Sequence, residues 1–359
     1  MDQITDAMEM VDHLSHPAFC VRDGIIIKAN AAALGRMIEP GKPVAELLLA
    51  GAEEYRDFTS GCLYLTLRLC GQKLGFSVSR KKDFDLFQLE QDASNYELQA
   101  MSLAARELRE PLASIMISTD QLFPKDQHDP GADPQLARIN RGLYQMLRLI
   151  SNMSDAARYA SDIEPTMEIR NVTACLEEIF RKTAALVEAS GCTLAYSSIT
   201  EPIYAPVNTE MLERAVLNVI SNALKFTPAG GQIQAKLSRQ GSKLYLSITD
   251  NGNGIPGNLW GNLFSRYTRE PGLEDGRFGI GLGLVIVHAA AAKHGGTVLI
   301  DQPGDTGTRV TMTLAIRPGS ADTLRSPILR VDYAGERDHG LMELSDVLPA
   351  DLYNPSKLN

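Results

Sequence analysis

Cysteine is sparse: Cys20, Cys62, Cys70, Cys175 and Cys192 are scattered over 359 residues with no C-x-x-C pair and an odd total. That spacing supports neither a disulfide framework nor a zinc site, and reads as free thiols in a reducing cytosol. Long apolar runs are also missing. A membrane-spanning helix needs roughly 18 or more uninterrupted apolar residues, whereas the stretches Ala45 to Ala52 and Leu282 to Ala292 are short or broken. No basic segment precedes an apolar core at the N-terminal end. The expectation is a cytoplasmic chain with no membrane partner. Positive charge is in deficit too: the formal charge is −9 and the isoelectric point about 5.3. Long-range repulsion then argues against nucleic acid as the main partner, and a polyanionic ligand would have to be small and held locally. What remains is ordinary globular composition, 44% hydrophobic and 22% charged, enough for two or three domains with real cores.

Residues 1–90 carry β-like runs at Pro17 to Val21, Gly24 to Ile27, Cys62 to Leu67 and Leu74 to Val78. They predict a small α/β domain. Strand, Asp23-Gly24 turn, strand, and then Asn30-Ala31-Ala32-Ala33 opening a helix is an order that resembles a PAS sensor domain. A dimerisation or packing module fits the same residues.

Over 91–162 the period changes. Leu98, Met101, Ala105, Leu108, Leu112, Ile115, Thr119 and Leu122 alternate spacings of three and four, as do Leu136, Ile139, Leu143, Met146, Ile150, Met153, Ala157 and Ala160. Two heptad helices joined across Phe123 to Asp133 form an antiparallel hairpin. Its apolar stripe is too wide for one hairpin to bury, so pairing with a second copy in a four-helix bundle is expected. A monomeric hairpin packed on another domain is the alternative. Residues 166–317 alternate strand and helix patterns, predicting an α/β sandwich, and 318–359 form an extension with no sustained period. The whole is a multidomain α+β chain.

Chemistry concentrates in the sandwich. A helix capped by Asn208 buries Leu212, Ala215, Val216, Val219, Ile220 and Ala223, and carries Asn218, Asn222 and Lys225 at i, i+4 and i+7 along one stripe. Carboxamide oxygens suit a hard cation such as Mg²⁺, and a lysine one turn on can meet phosphate. A strand from Lys243 to Thr249 then runs into Asp250-Asn251-Gly252-Asn253-Gly254, where glycines admit a flat ligand and a carboxylate can accept from an exocyclic amine. Last, Gly279-Ile280-Gly281-Leu282-Gly283-Leu284 precedes an apolar helix, an arrangement that cradles phosphate on free N–H groups. Taken singly, the three features fit a solvated helix face, a hairpin turn and a helix-packing loop.

In this order and at these separations they resemble the catalytic domain of sensor histidine kinases, in the superfamily shared with gyrase, heat-shock chaperone and mismatch-repair ATPases. Asn218 to Pro228 resembles the N box, Asp250-x-Gly252-x-Gly254 the first glycine box, Leu263 to Tyr267 the F box, and Gly279-x-Gly281-x-Gly283 the second glycine box. The resemblance implies an ATP and Mg²⁺ site. Asn222 would be the metal ligand and Lys225 would sit near the phosphates. Phe226 would lie against the adenine, Asp250 would bond its amino group, and Asn218, Leu284 and Thr308 would line the pocket. Residues 257–278 would form a lid. It further implies a two-component system, with a homodimer through the hairpin and a response regulator or another histidine kinase or phosphotransfer protein as partner.

Two departures bear on the chemistry. The ATP-hydrolysing relatives place a Glu base where this chain has Asn218, which disfavours a plain ATPase. The stretch aligned with the acceptor motif H-E-L-R-T-P-L is Arg106-Glu107-Leu108-Arg109-Glu110-Pro111-Leu112. A guanidinium has no free lone pair, so Arg106 is no nucleophile, and Glu107 survives as the one candidate catalytic residue there. Self-phosphorylation is therefore in question. A degenerate member that binds ATP and signals by shape, or acts in trans on a partner, is the alternative.

Overall fold

The protein is described by a computed structural model over residues 11–90, 95–122, 133–160, 164–256, 260, 263, 282–304, 306–316 and 337–354. The second glycine box positions Gly279 and Gly281 and most of residues 257–278 lie outside the described residues.

The N-terminal part is an antiparallel sheet in the order β2-β1-β6-β5-β4, formed by β1 (Ala18–Arg22), β2 (Ile25–Ala29), β4 (Cys62–Leu69), β5 (Gln72–Arg80) and β6 (Asp85–Leu89). A short β3 (Leu48–Ala50) pairs with β4. The Asp23-Gly24 turn has φ of 51° and 77°, which suits a tight hairpin linking β1 and β2. Asn30 caps the short helix α1 (Ala31–Leu34), accepting from the Ala33 N–H, and its Nδ2 donates to the carbonyls of Val11, Leu14 and His16. A second short helix, α2 (Ala52–Asp57), lies before β4.

Two helices of 28 residues follow, α3 (Asn95–Leu122) and α4 (Asp133–Ala160). The seam expected from the heptads is only half enclosed. Ala105, Leu112, Leu136, Leu143 and Ile150 are buried, but Leu108, Ile115, Leu122, Ile139 and Met146 are exposed. Met116, Tyr144 and Leu147 are buried instead, positions off the predicted seam. The difference has a physical cause: α4 turns part of its surface toward the C-terminal half of the chain, which recruits Tyr144, Leu147 and Ile150 into the same core as the helices Thr209–Phe226 and Gly283–Lys293.

The third part is a mixed sheet of β8 (Thr193–Ser197), β10 (Gln232–Gln240), β11 (Lys243–Asp250), β12 (Val298–Asp301) and β13 (Thr308–Ala315), in the order β12-β13-β11-β10-β8. It packs with α5 (Val172–Ala189), α6 (Thr209–Phe226) and α7 (Gly283–Lys293), while β7 (Glu168–Asn171) and β9 (Tyr204–Val207) pair apart. β11 shows strict alternation of buried and half-buried residues, the signature of a strand with one face on the core.

β12 also pairs antiparallel with β4, at Leu299 with Leu63 and Ile300 with Cys62, joining both sheets into one of eleven strands. Strand periodicity splits β4 between two cores: Leu63, Leu65 and Leu67 face the N-terminal core, Cys62 and Tyr64 the C-terminal one.

Residues 337–354, expected only as an unpatterned extension, form helix α8 (His339–Glu343) and a 3₁₀ turn (Ala350–Tyr353). Met342, Leu344, Leu348 and Tyr353 are fully buried, and the Tyr353 ring meets Tyr144 of α4 edge-on at 5.2 Å. Four apolar residues spaced over twelve positions give no helical or strand period, yet suffice to dock a short segment.

Candidate nucleotide site

α6 is set by its ends. The Asn208 side chain accepts from the Met211 N–H at 2.9 Å, and Glu210 in the first turn and Lys225 in the last complement the helix dipole. His294, just past α7, holds the same corner. Its Nε2 accepts the Asn208 N–H at 3.0 Å while Nδ1 lies 2.6 Å from the Ala290 carbonyl. The ring is thus neutral with its proton on Nδ1, and burial lowers its pKa.

At the C-terminal end of α6 the chain is packed backbone to backbone. Asn253 N–H donates to the Phe226 carbonyl at 3.3 Å, and a Cβ at Gly252 would lie 2.4 Å from that oxygen. Gly307, at φ +84°, donates its N–H to the Gly252 carbonyl at 2.8 Å, and a Cβ there would strike the Asp250 carbonyl. Between them sits Asp250, buried, its Oδ1 accepting from Gly252 N–H at 2.9 Å and Thr308 N–H at 3.2 Å. Burial raises the Asp250 pKa, and the two N–H donations oppose the rise. A carboxylate fixed through one oxygen in this way is pre-oriented as a hydrogen-bond acceptor. The Phe226 ring, beside it on α6, is 43% exposed.

Gly283 opens α7 against the carboxamide stripe: a Cβ there would come within 3.0 Å of Asn218 Oδ1 and 3.9 Å of Asn222 Nδ2. Leu284 follows, half-buried. Asn222 is half-buried, and among the described residues its side chain makes no hydrogen bond. The structure therefore gathers Asn218, Asn222, Gly283 and Leu284 on one side, and Phe226, Asp250, Gly252, Gly254 and Thr308 on the other.

Asn218 and Lys225 are not open to solvent as the sequence pattern implied. Asn218 is 1% exposed, and its Nδ2 donates to the Arg214 carbonyl at 2.9 Å and to Glu343 at 3.3 Å. Lys225 pairs with Asp346 at 3.1 Å. Burial, with the nearby Arg148 charge, lowers the Lys225 pKa, and Asp346 works the other way. Sequence reasoning missed the arginines that complete this cluster. Arg148 of α4 reaches Asp346 at 2.6 Å, Glu343 at 3.3 Å and Ser221 at 3.1 Å. Arg214, completely buried, meets Glu343 at 3.1 Å, Asn152 at 2.7 Å and Asp155. The signal that was available is an arginine lodged in the apolar stripe of α6, which at such a position needs a carboxylate from elsewhere.

On α3, Arg106, Glu107, Arg109, Glu110 and Pro111 are all exposed. His288 packs its ring on Tyr64, and His339 pairs with Glu213 at 2.8 Å.

Residues 207–318 match the family described as histidine kinase-, DNA gyrase B-, and HSP90-like ATPase. Among curated proteins, the hybrid signal transduction histidine kinase D of Dictyostelium discoideum is 28% identical over 255 residues, covering 67% of this chain and 16% of that protein. The sensor histidine kinase RppB of Synechocystis is 28% identical over 223 residues, 59% of this chain and 48% of RppB.

The chain carries a histidine kinase-like ATPase domain and is similar to sensor histidine kinases.

The likeness in fold extends beyond the ATPase part. Full-length ShkA, solved in complex with AMPPNP, superposes with a TM-score of 0.51 at 20% identity, over 62% of this chain and 47% of ShkA. This histidine kinase homologue spans under half the length of the first curated relatives it matches. Among the described residues, no helix is long and apolar enough to cross a membrane.

Proposed function

We propose that this chain is the Mg-ATP-binding part of a two-component sensor kinase. The observation that carries the reading is Asp250, held through Oδ1 by the Gly252 and Thr308 N–H groups beside the end of α6. That is an acceptor suited to an adenine amino group, with Phe226 at hand to cover the ring. Asn222 fits a magnesium ion: its carboxamide is a neutral oxygen donor, half-buried, and among the described residues it is committed to no other group. When bound, the ion would neutralise phosphate charge. Lys225 supplies a further cation, and the missing Cβ at Gly283 lets α7 lie close against the Asn218 and Asn222 stripe.

Hydrolysis is disfavoured. The position of the base in ATP-hydrolysing relatives is Asn218, and the carboxylate nearest to it, Glu343, is engaged by Arg148 and Arg214. Phosphoryl transfer to the chain's own hairpin lacks a nucleophile at Arg106, so a second reading stands beside the first. In it, the protein binds ATP and acts by shape or in trans on a histidine of a partner, with a response regulator or phosphotransfer protein downstream. The exposed Arg106 and Glu110 on α3 favour it. The N-terminal strand order β2-β1-β6-β5-β4 supports a PAS-like sensory domain, and the exposed Leu108, Ile115, Leu122, Ile139 and Met146 support a homodimeric four-helix bundle.

Incubation with γ-labelled ATP tests both readings, using the chain alone, Arg106→His, and the chain with candidate partners. Label appearing only on Arg106→His or on a partner is the expected result. Acid-labile, alkali-stable label on the unmodified chain would overturn the second reading. Unchanged Mg-ATP affinity in both Asn222→Ala and Asp250→Ala would overturn the site itself.

A further inference from the structure

Two cations from different parts of the chain converge on one oxygen. Asp346 Oδ2 lies 2.6 Å from Arg148 Nη1 of α4 and 3.1 Å from Lys225 Nζ of α6. Both cationic side chains are over nine-tenths buried, with exposures of 6% and 9%. Buried so closely, they repel each other unless an anion lies between them. Asp346 supplies that anion from a segment that is also held at other points, among them Glu343, which meets Arg148 at 3.3 Å and Arg214 at 3.1 Å. Arg141 holds the Ser345 and Asp346 carbonyls at 3.0 and 2.9 Å, and Asn140 holds the Tyr353 carbonyl at 3.0 Å, all from α4.

We propose that Arg148 and Lys225 form a two-cation site for the phosphates of a nucleotide, and that the Asp346 carboxylate occupies it as an intramolecular stand-in. The inference rests on the reading that α6 and the Asp250 loop bind ATP. It adds to that reading a phosphate-contacting arginine contributed by the hairpin, and a competitor contributed by residues 337–354. The exchange replaces one anion by another, so the buried cations are never left unpaired. It also has a mechanical consequence. Asp346 ties α4 to α6, and a phosphate that takes Lys225 from Asp346 loosens the hold of the ATP-binding part on the hairpin.

The test measures binding of Mg-ATP, Mg-ADP and adenosine to the full chain by calorimetry. Asp346→Asn keeps the shape of the side chain and removes its charge, and Asp346→Ala is the second variant should asparagine disturb the fold, checked by thermal melting. Mg-ATP is expected to bind about tenfold more tightly to either variant, within the usual range of coupling between two sites. Mg-ADP should gain less and adenosine less than about twofold, since it has no charge to meet the cations. Adding Arg148→Met to Asp346→Asn should abolish the gain. If Mg-ATP binds the natural chain but neither Asp346 variant tightens it, or adenosine gains as much as Mg-ATP, the competition is wrong and the nucleotide reading stands. If no ligand binds any of these chains, both fall.

Discussion

The two ends of the proposed nucleotide site are built by different means. The base end is backbone: Asp250, Gly252 and Gly307 are locked by N–H to C=O and N–H to carboxylate bonds that leave no room for a side chain at either glycine. The proposed phosphate end is side chains drawn from three places, α4, α6 and residues 337–354, with Arg148, Arg214 and Lys225 facing Asp155, Glu343 and Asp346. Backbone geometry costs little to keep ready for a ligand. Buried charges cannot wait unpaired, so the end that must meet a polyanion holds protein carboxylates in its place.

The largest effect should come from breaking the phosphate end. Arg214→Ala leaves Asp155 and Glu343 buried without their guanidinium and is expected to lower stability by about 3–5 kcal/mol, read by denaturant unfolding. Replacing Arg214, Asp155 and Glu343 together by apolar residues of similar volume should restore much of it, because the buried trio is removed as a unit and Arg148 keeps Asp346. Asp250→Ala attacks the base end. It should weaken ATP binding by about 1.5–3 kcal/mol, roughly tenfold to a hundredfold, with adenosine losing as much as ATP. An equal loss is what separates a base contact from a phosphate contact. The smallest effect concerns His294, which ties the start of α6 to the end of α7 behind both ends. Burial lowers its pKa below the ordinary 6.5, so the unfolded chain binds the proton more readily than the folded one. Its contribution is complete above about pH 6.5 and is lost as pH falls. Melting between pH 7.5 and 5 should therefore fall more steeply in the natural chain than in His294→Gln, by about 1 kcal/mol or less.

The backbone around α6 and Asp250 was legible in the sequence and the buried ion cluster was not. Asn208 as a cap, the apolar face of α6 and the glycines after Asp250 are local patterns, readable within a window of a few residues. The ion cluster joins Arg148 to Glu343 across 195 residues and Lys225 to Asp346 across 121, and no local period announces such pairs. The hairpin was half legible for a related reason. Heptad spacing finds the apolar positions but cannot tell which of them face the partner helix and which a different part of the chain, so Leu108 and Ile115 emerged exposed while Tyr144 and Leu147 went inside.

Strand β4 belongs to two cores at once, and its edge continues into β12. Separately folded domains would give separate calorimetric transitions. A strand that lends alternate side chains to both neighbours makes each half part of the other's folded reference, so disorder in the N-terminal sheet costs the ATP-binding sheet an edge partner and a piece of its packing. A ligand that stiffened the N-terminal half would then raise the melting point of the whole chain, and the heat signature would be one peak in place of two.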